Sequence, residues 1–573
     1  MLKRAAVIIG VDKTGALPKL RDAASSATRV AAWARAQGID AVVLLTDADG
    51  PVEVSQVKKA IRGVVDASVY HQLLVFFAGH GVNRQRQEYW LLSGAPDDSQ
   101  EAVNLAGSSA LAMTCGIPHV VFISDACRTA AEGIQAQSVT GSEIFPNIEG
   151  NTGTVDQFFA CELGRPSHEV RDPNVTAAEF SALYTNEMLP ALSGARSEVV
   201  EWDAVNAQVG HVHLRPLRDY LSKAVTDRLK GLALQTKVIQ VPTAIIASDP
   251  PAWIAEVKRP SRGLGFGPLT GMAASRGQPM PPVLTPRPSL EETIAAVQSG
   301  ASPAAGGGAR TVVESAKQLA SPFGPTHHET QCGFKIRGAL IVEAYSPQVY
   351  TQVIAPGDDV RVGAPSWNSV LLLLDTGVGV LLPAIPGFIT ALTVDEGELV
   401  DVTYEPSDNS PRWGDYRARA EELRALRAIA SASLTNGAFH LERTDALEVA
   451  RRMQYAKGID PSLAVYAAYA YHDLQRQDLL REMASYLTAD LGAPLFDVAL
   501  LARQLDRRAA TDWQVISPMP LLSQGWALLN AYRVRLAKEL TGLDQHLSPS
   551  LWTLLLPHGV QQVRAALASG AIR

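Results

Sequence analysis

The chain has 573 residues, 47% of them hydrophobic and 19% charged, with a net charge of −7. That balance excludes a disordered chain, the length predicts two to four domains, and no global basic field exists to hold nucleic acid. Four cysteines (Cys115, Cys127, Cys161 and Cys332) in so long a chain make no disulfide framework and suggest a reducing compartment.

The apolar run after Arg4 is cut short by Asp12 and Lys13, which fits a buried first strand better than a secretory signal. The most apolar later stretch, Val370 to Leu392, contains Asp375, Pro383 and Pro386, so it is not expected to span a membrane. A cytoplasmic protein without membrane or nucleic-acid partners is the expectation.

In chain order, strands are predicted at Ala5–Val11, Ala41–Thr46, Leu73–Ala78, His119–Ser124, Gln157–Cys161 and Ile239–Ala247. Helix-length segments lie between them at Arg21–Gln37, Val52–Val65, Leu105–Met113, Ala177–Leu192 and Leu217–Leu234. Apolar strands without polar alternation, separated by helices, predict a mostly parallel six-stranded α/β sheet covered on both faces over residues 1–250. Between Arg259 and Arg310, 17 of 52 residues are Gly or Pro. Residues 251–329 therefore read as a linker. Short Val/Ile/Leu runs punctuated by Gly, Pro and Asp predict a small antiparallel β module over 330–406, and helical spacing dominates 407–573.

Two strands run into residues with chemical potential. The third leads into Ala78-Gly79-His80-Gly81, and the fourth into Asp125-Ala126-Cys127-Arg128. Ligands gather beyond the carboxyl ends of strands in an open parallel sheet. A thiol and an imidazole delivered there supply a nucleophile and a proton shuttle. The glycines beside His80 let the backbone approach a substrate closely, and the Gly81 amide is placed to help hold an oxyanion.

With these motifs, the chain resembles the caspase-like cysteine peptidases over roughly residues 1–250. The resemblance rests on the first strand, Leu20-Arg21-Asp22-Ala23 at a helix start, Phe76-Phe77-Ala78-Gly79-His80-Gly81 and Asp125-Ala126-Cys127-Arg128. It is closer to paracaspases and bacterial metacaspase-like proteins than to animal caspases. The resemblance implies Cys127 as nucleophile, His80 as general base, and the amides of Gly81 and Cys127 as oxyanion hole, with no cofactor required for the chemistry. Caspases likewise place the His about 50 residues before the Cys.

The same resemblance bears on specificity. Asp125 stands where animal caspases carry Gln, as in the Arg/Lys-specific branches, and Asp22 and Glu169 occupy the acidic positions of paracaspases. Three carboxylates around one pocket call for a cation, and Arg suits it with its fork of donors. The alternative readings are a helix N-cap for Asp22 and a surface residue for Glu169. No Lys or Arg occurs from Thr129 to Gly164, so an Arg-specific enzyme is expected to act as a single chain, with self-cleavage directed to Arg276, Arg287 or Arg310 in the linker.

The expected function is an Arg- or Lys-directed cysteine endopeptidase acting on proteins. It is expected to be restrained until a small molecule (a nucleotide signal or calcium) or a protein partner meets the C-terminal region, and by resemblance it suits an antiphage or cell-death effector. The competing expectations are a non-catalytic caspase-fold scaffold and a calcium-activated protease of the metacaspase type. His327, His328 and Cys332 lack the second cluster of a structural zinc site, so no metal site is expected there. Cys115 and Cys161 read as core residues.

Overall fold

The computed structural model describes residues 2–130, 139–160, 183–204, 206, 208–232, 242–259, 330–436, 443–506 and 513–573. Glu169, Cys161, the paired histidines His327 and His328, and the linker sites Arg276, Arg287 and Arg310 lie outside the described residues.

Strands β1 (Arg4–Gly10), β2 (Ala41–Thr46), β3 (Gln72–Arg84), β4 (Gln87–Leu91), β5 (Ala102–Asn104), β6 (His119–Ala130) and β7 (Thr154–Phe159) build the first sheet. Its main path runs β2-β1-β3-β6-β7-β10, where β10 is Thr243–Ile246. The first five pair in parallel and β10 pairs antiparallel to β7. β4 and β5 add to β3 as an antiparallel extension. The main path is the mostly parallel, six-stranded α/β sheet expected from the sequence.

Strand alternation divides this sheet into two cores. Ala6, Ile8, Phe76 and Ile123 face helix α1 (Ala23–Ala36). Val7, Ile9, Val75 and Phe122 share the other core with α2 (Val54–Ala67) and α3 (Leu105–Ala112). The alanine-rich face of α1 lets it lie close to β1: a Cβ on Gly10 would stand 2.6 Å from Cβ of Ala27. That clash explains glycine at the strand's exit.

The chain continues through α4 (Leu183–Leu192), β8 (Val200–Trp202), β9 (Val209–His213), α5 (Leu214–Leu232), β10 and β11 (Trp253–Lys258). Two five-stranded sheets then form from residue 333 onward. One, ordered β14-β15-β12-β18-β19, uses Tyr350–Ile354, Asp359–Gly363, Gly333–Arg337, Phe388–Asp395 and Glu398–Pro406. β12 and β18 pair in parallel, so this part is not purely antiparallel. The other sheet joins β13 (Ile341–Tyr345), β16 (Asn368–Leu374) and β17 (Gly379–Ala384) to the late strands Leu547–Ser548 and Leu554–Leu555. A sheet of the β module is thus completed by chain from the far end of the sequence. Helices α6 (Trp413–Asn436), α7 (Arg443–Ala456), α8 (Ser462–Asp473) and α9 (Gln477–Leu491) follow, but residues 513–556 form short 3-10 turns and two-residue strands where helical spacing was expected.

The N- and C-terminal parts share one apolar cluster: Val75, Phe122 and Val155 belong with Ile429, Tyr466 and Trp552. Polar ties reinforce it. Asn104 Nδ2 donates to the Ala527 carbonyl (2.7 Å), and the Gln475 side chain bonds both the N–H (3.1 Å) and the C=O (2.6 Å) of Val155. The C-terminal aromatics Tyr466, Tyr469, Tyr471 and Trp552 are buried, as core residues rather than an exposed cage. Cys115 and Cys332 are buried too. No helix among the described residues is long and apolar enough to cross a membrane.

Candidate active site

The two motif-bearing strands outrun their neighbours. β1 has its last pairing at Gly10 with Ala78, and β7 at Phe159 with Ser124. β3 and β6 continue pairing with each other to Asn83 and Ala130. Expected to end at Ala78 and Ser124, both strands instead run on as a paired ribbon past β1 and β7, with β4 taking the place of β1 beside β3 from Gly81 to Arg84. Within that ribbon His80 is the direct partner of Cys127, and Gly81 of Arg128.

His80 is buried, and its Nε2 lies 2.8 Å from the Pro18 carbonyl oxygen. A carbonyl only accepts, so Nε2 carries the proton and Nδ1 keeps its lone pair. Burial pushes the imidazole below its ordinary pKa of 6.5, with the Pro18 bond pulling the other way. The ring is therefore neutral near pH 7 and can take a proton.

Pro18 is presented by a pinned loop between β1 and α1. Val11 N–H donates to Ala78 O (3.0 Å), Gly15 N–H to Ser93 O (3.1 Å) and Leu20 N–H to Asp12 O (2.9 Å). The Asp12 carboxylate accepts from the amides of Ala23 (2.9 Å) and Ala24 (3.1 Å), the first free donors of α1. Asp22 occupies the N-cap position of α1 but is exposed, and its side chain makes no capping bond. The N-cap alternative for Asp22 is thus corrected: Asp12, reaching back from the strand exit, does that work.

Asp125 pairs in register with Ala78, two residues before the His80–Cys127 pair. It is almost wholly buried at 5% exposure, and Thr185 of α4 donates its hydroxyl to the carboxylate. Burial pushes the Asp125 carboxyl up to about 7, against the Thr185 bonds and the positive charge of Arg29 on α1. The structure thus brings His80, Gly81, Cys127 and Asp125 onto one ribbon, and places Asp22 at the start of the helix that faces Asp125. Pro18, Asp12 and Thr185 were missed from sequence. Pro18 acts through its carbonyl, which every residue type has, so no side-chain signal could mark it.

Among the described residues no group of three or more His, Cys, Asp or Glu is arranged to hold a metal ion.

No protein-family model matches the chain, and no curated protein is significantly similar to it. Solved structures give likenesses. The Drosophila initiator caspase Dronc is 10% identical with a TM-score of 0.27, covering 44% of this chain and 82% of its own. Caspase-1 from Spodoptera frugiperda is 12% identical with a TM-score of 0.27, covering 42% and 88%. A structural-genomics protein from Geobacter sulfurreducens is 15% identical with a TM-score of 0.27, covering 42% and 92%. At these TM-scores neither a residue role nor an activity carries over to this chain.

Proposed function

We propose that the protein is a caspase-like cysteine endopeptidase that cleaves after Arg, and more weakly after Lys. The observation that carries this reading is the register of β3 and β6, which makes His80 and Cys127 partners where these strands outrun β1 and β7. In this account the Nδ1 lone pair of neutral His80 takes the Cys127 thiol proton, and the thiolate attacks the scissile carbonyl. The amides of Gly81 and Cys127 stabilise the oxyanion, and the imidazolium returns its proton to the leaving amine.

Asp125, Asp22 and Glu169 are assigned to the pocket for the substrate cation. A buried carboxylate balanced near pH 7 gains most when a guanidinium replaces the water it has lost, which supports Asp125 as the principal contact. The substrates are proteins, and a small-molecule or protein signal at the C-terminal region releases the activity, as suits a cytoplasmic antiphage or cell-death effector. The shared core between the two halves supports such communication.

The test is turnover of fluorogenic peptides ending in Arg, Lys or Asp, with and without calcium and cell extract. Turnover of the Arg peptide by wild type, absent in Cys127→Ala and His80→Ala, is expected. Equal turnover by Cys127→Ala contradicts the nucleophile assignment.

A further inference from the structure

A cavity of about 230 Å³ lies between the first sheet and the C-terminal helices. It is half again as large as the engineered apolar cavity of 150 Å³ that admits benzene. Ile429, Val449, Met453 and Leu528 give it an apolar wall. Its charged side chains are committed elsewhere. Arg86 is paired with Glu398 (2.5 Å) and Arg218 with Asp219 (2.9 Å), while Arg215 donates to the Ser248 carbonyl (2.6 Å). Glu88 accepts from Trp90 Nε1 (2.8 Å) and from Ser124 Oγ, and Asp473 lies 3.5 Å from His472 Nδ1. A charged guest would lose its water here without gaining a counter-charge of its own.

Two neutral polar groups stand differently. Ser109 of α3 and Gln524, on the turn Ser523–Leu528 that packs against α3, are 6% and 8% exposed and line the cavity. Neither side chain makes a hydrogen bond to another described residue. By contrast, the Tyr466 and Tyr469 hydroxyls, from residues that also line it, donate to Asp401 (3.3 Å) and Asp497 (2.8 Å). Buried polar groups are nearly always partnered, so a hydroxyl and an amide left over beside a cavity mark where a guest completes the set. A glutamine amide offers a donor and an acceptor side by side. Its complement is a group that offers an acceptor and a donor in the same way.

We infer that this cavity binds a small uncharged molecule with an apolar body and a carboxamide- or lactam-type edge, held by Gln524 and Ser109. The apolar wall takes the body, and the self-paired charges select against an ion. The inference supplies a chemical class for the small-molecule signal proposed for the C-terminal region. The binding itself stands without the peptidase reading, since none of His80, Cys127, Asp125 and Asp22 lines the cavity.

The experiment is a saturation-transfer NMR titration of the full chain at neutral pH with three molecules of one shape: hexanamide, hexanoate and 2-heptanone. Hexanamide is expected to bind saturably, at least about tenfold tighter than hexanoate, whose charge finds no partner. It should also bind about fivefold tighter than 2-heptanone, whose methyl group cannot donate. Gln524→Met, which keeps the length of the side chain, should erase the advantage over 2-heptanone and leave ketone binding unchanged. Ser433→Trp and Ala446→Phe, which fill the cavity from α6 and α7, should each abolish hexanamide binding while the near-UV circular dichroism stays that of a folded chain. The proposal is overturned if hexanamide shows no saturable binding, which leaves Ser109 and Gln524 to ordered water, or if hexanoate binds as tightly. It is also overturned if Gln524→Met keeps the preference for amide over ketone, or if both fillings leave hexanamide binding intact in folded protein. Peptide turnover separates the two readings. A chain that binds hexanamide as expected but never cleaves contradicts the peptidase, whereas a chain that cleaves but binds no hexanamide contradicts the site.

Discussion

Arg84 lies on the same strand as His80 and donates to the Asp544 carbonyl at 2.7 Å, with the Asp544 carboxylate at 3.4 Å. Its other terminal nitrogen donates to the Val139 carbonyl at 2.8 Å, and neighbouring Gln85 adds a bond to Asp544 O at 3.0 Å. One nearly buried guanidinium thus ties the far end of β3 to the segment after β6 and to the C-terminal region at once. We expect Arg84→Met, which keeps the apolar stem, to lower stability by about 2–3 kcal/mol, because buried carbonyls lose a charged donor. Hydrogen exchange at amides 79–84 should accelerate more than elsewhere in the sheet. Unchanged exchange there would show that the tether does not hold the strand.

The pocket role proposed for Asp125 comes with a stability cost. Its carboxyl is raised to about 7 in the folded chain, above the ordinary unfolded value near 4. A group raised in this way contributes stability below the unfolded value and loses it as pH rises through the folded one. Asp125→Asn should therefore melt higher than wild type, by a difference that grows from about pH 4 to 7 and then levels, while Arg-peptide turnover falls by a hundredfold or more. A melting difference independent of pH contradicts the buried-carboxylate account, and an unaltered Arg preference contradicts the pocket.

His80 sets the acid limb once Asp125, which must also lose its proton to hold Arg, is replaced by Asn. Its pKa is held below 6.5, chiefly by burial. A base must be unprotonated, so kcat/KM of Asp125→Asn should fall with acid through a midpoint below that value, whereas the wild-type limb follows Asp125 near 7. Stability moves the same way: the unfolded chain takes up this proton first, so acid below about 6.5 favours unfolding through His80. An acid limb at or above 6.5 that survives replacement of Asp125 by Asn would assign the limb to another group.

Arg427 is buried beside Asp460, whose carboxylate lies 3.7 Å away, and its charge also acts on Asp401 and Glu405. Arg427→Met strands these carboxylates without a cation and should cost about 3–5 kcal/mol at neutral pH. Burial raises the pKa of all three carboxyls, Asp401 to about 7, so the loss should shrink as acid protonates them. A loss that is the same at pH 5 and pH 8 would point to packing instead.

Much of the first half was legible because its signals are local. Continuous apolar runs mark β1, β2, β3 and β6, and the Gly-His-Gly and Asp-Ala-Cys motifs mark where those strands would carry chemistry. What failed was non-local. The lengths of β3 and β6 depend on each strand supplying the other's hydrogen bonds beyond residues 78 and 124, which neither sequence states alone. Capping of α1 by Asp12 rather than Asp22 depends on how the loop folds back. The late strands at 547–555 become strands only because β17 offers an edge at Gly379.

The most direct test of the account is covalent labelling of the full chain, in the presence of cell extract, by a peptide ketone bearing Arg and a leaving group on the adjacent carbon. The Cys127 thiolate should displace that group to form a thioether, detected by mass spectrometry on the peptide containing Cys127. Label is expected at Cys127 alone, sparing Cys115, Cys161 and Cys332, lost in His80→Ala and absent with the matching Asp reagent. Equal labelling of the other cysteines, labelling that ignores His80, or preference for the Asp reagent would contradict it.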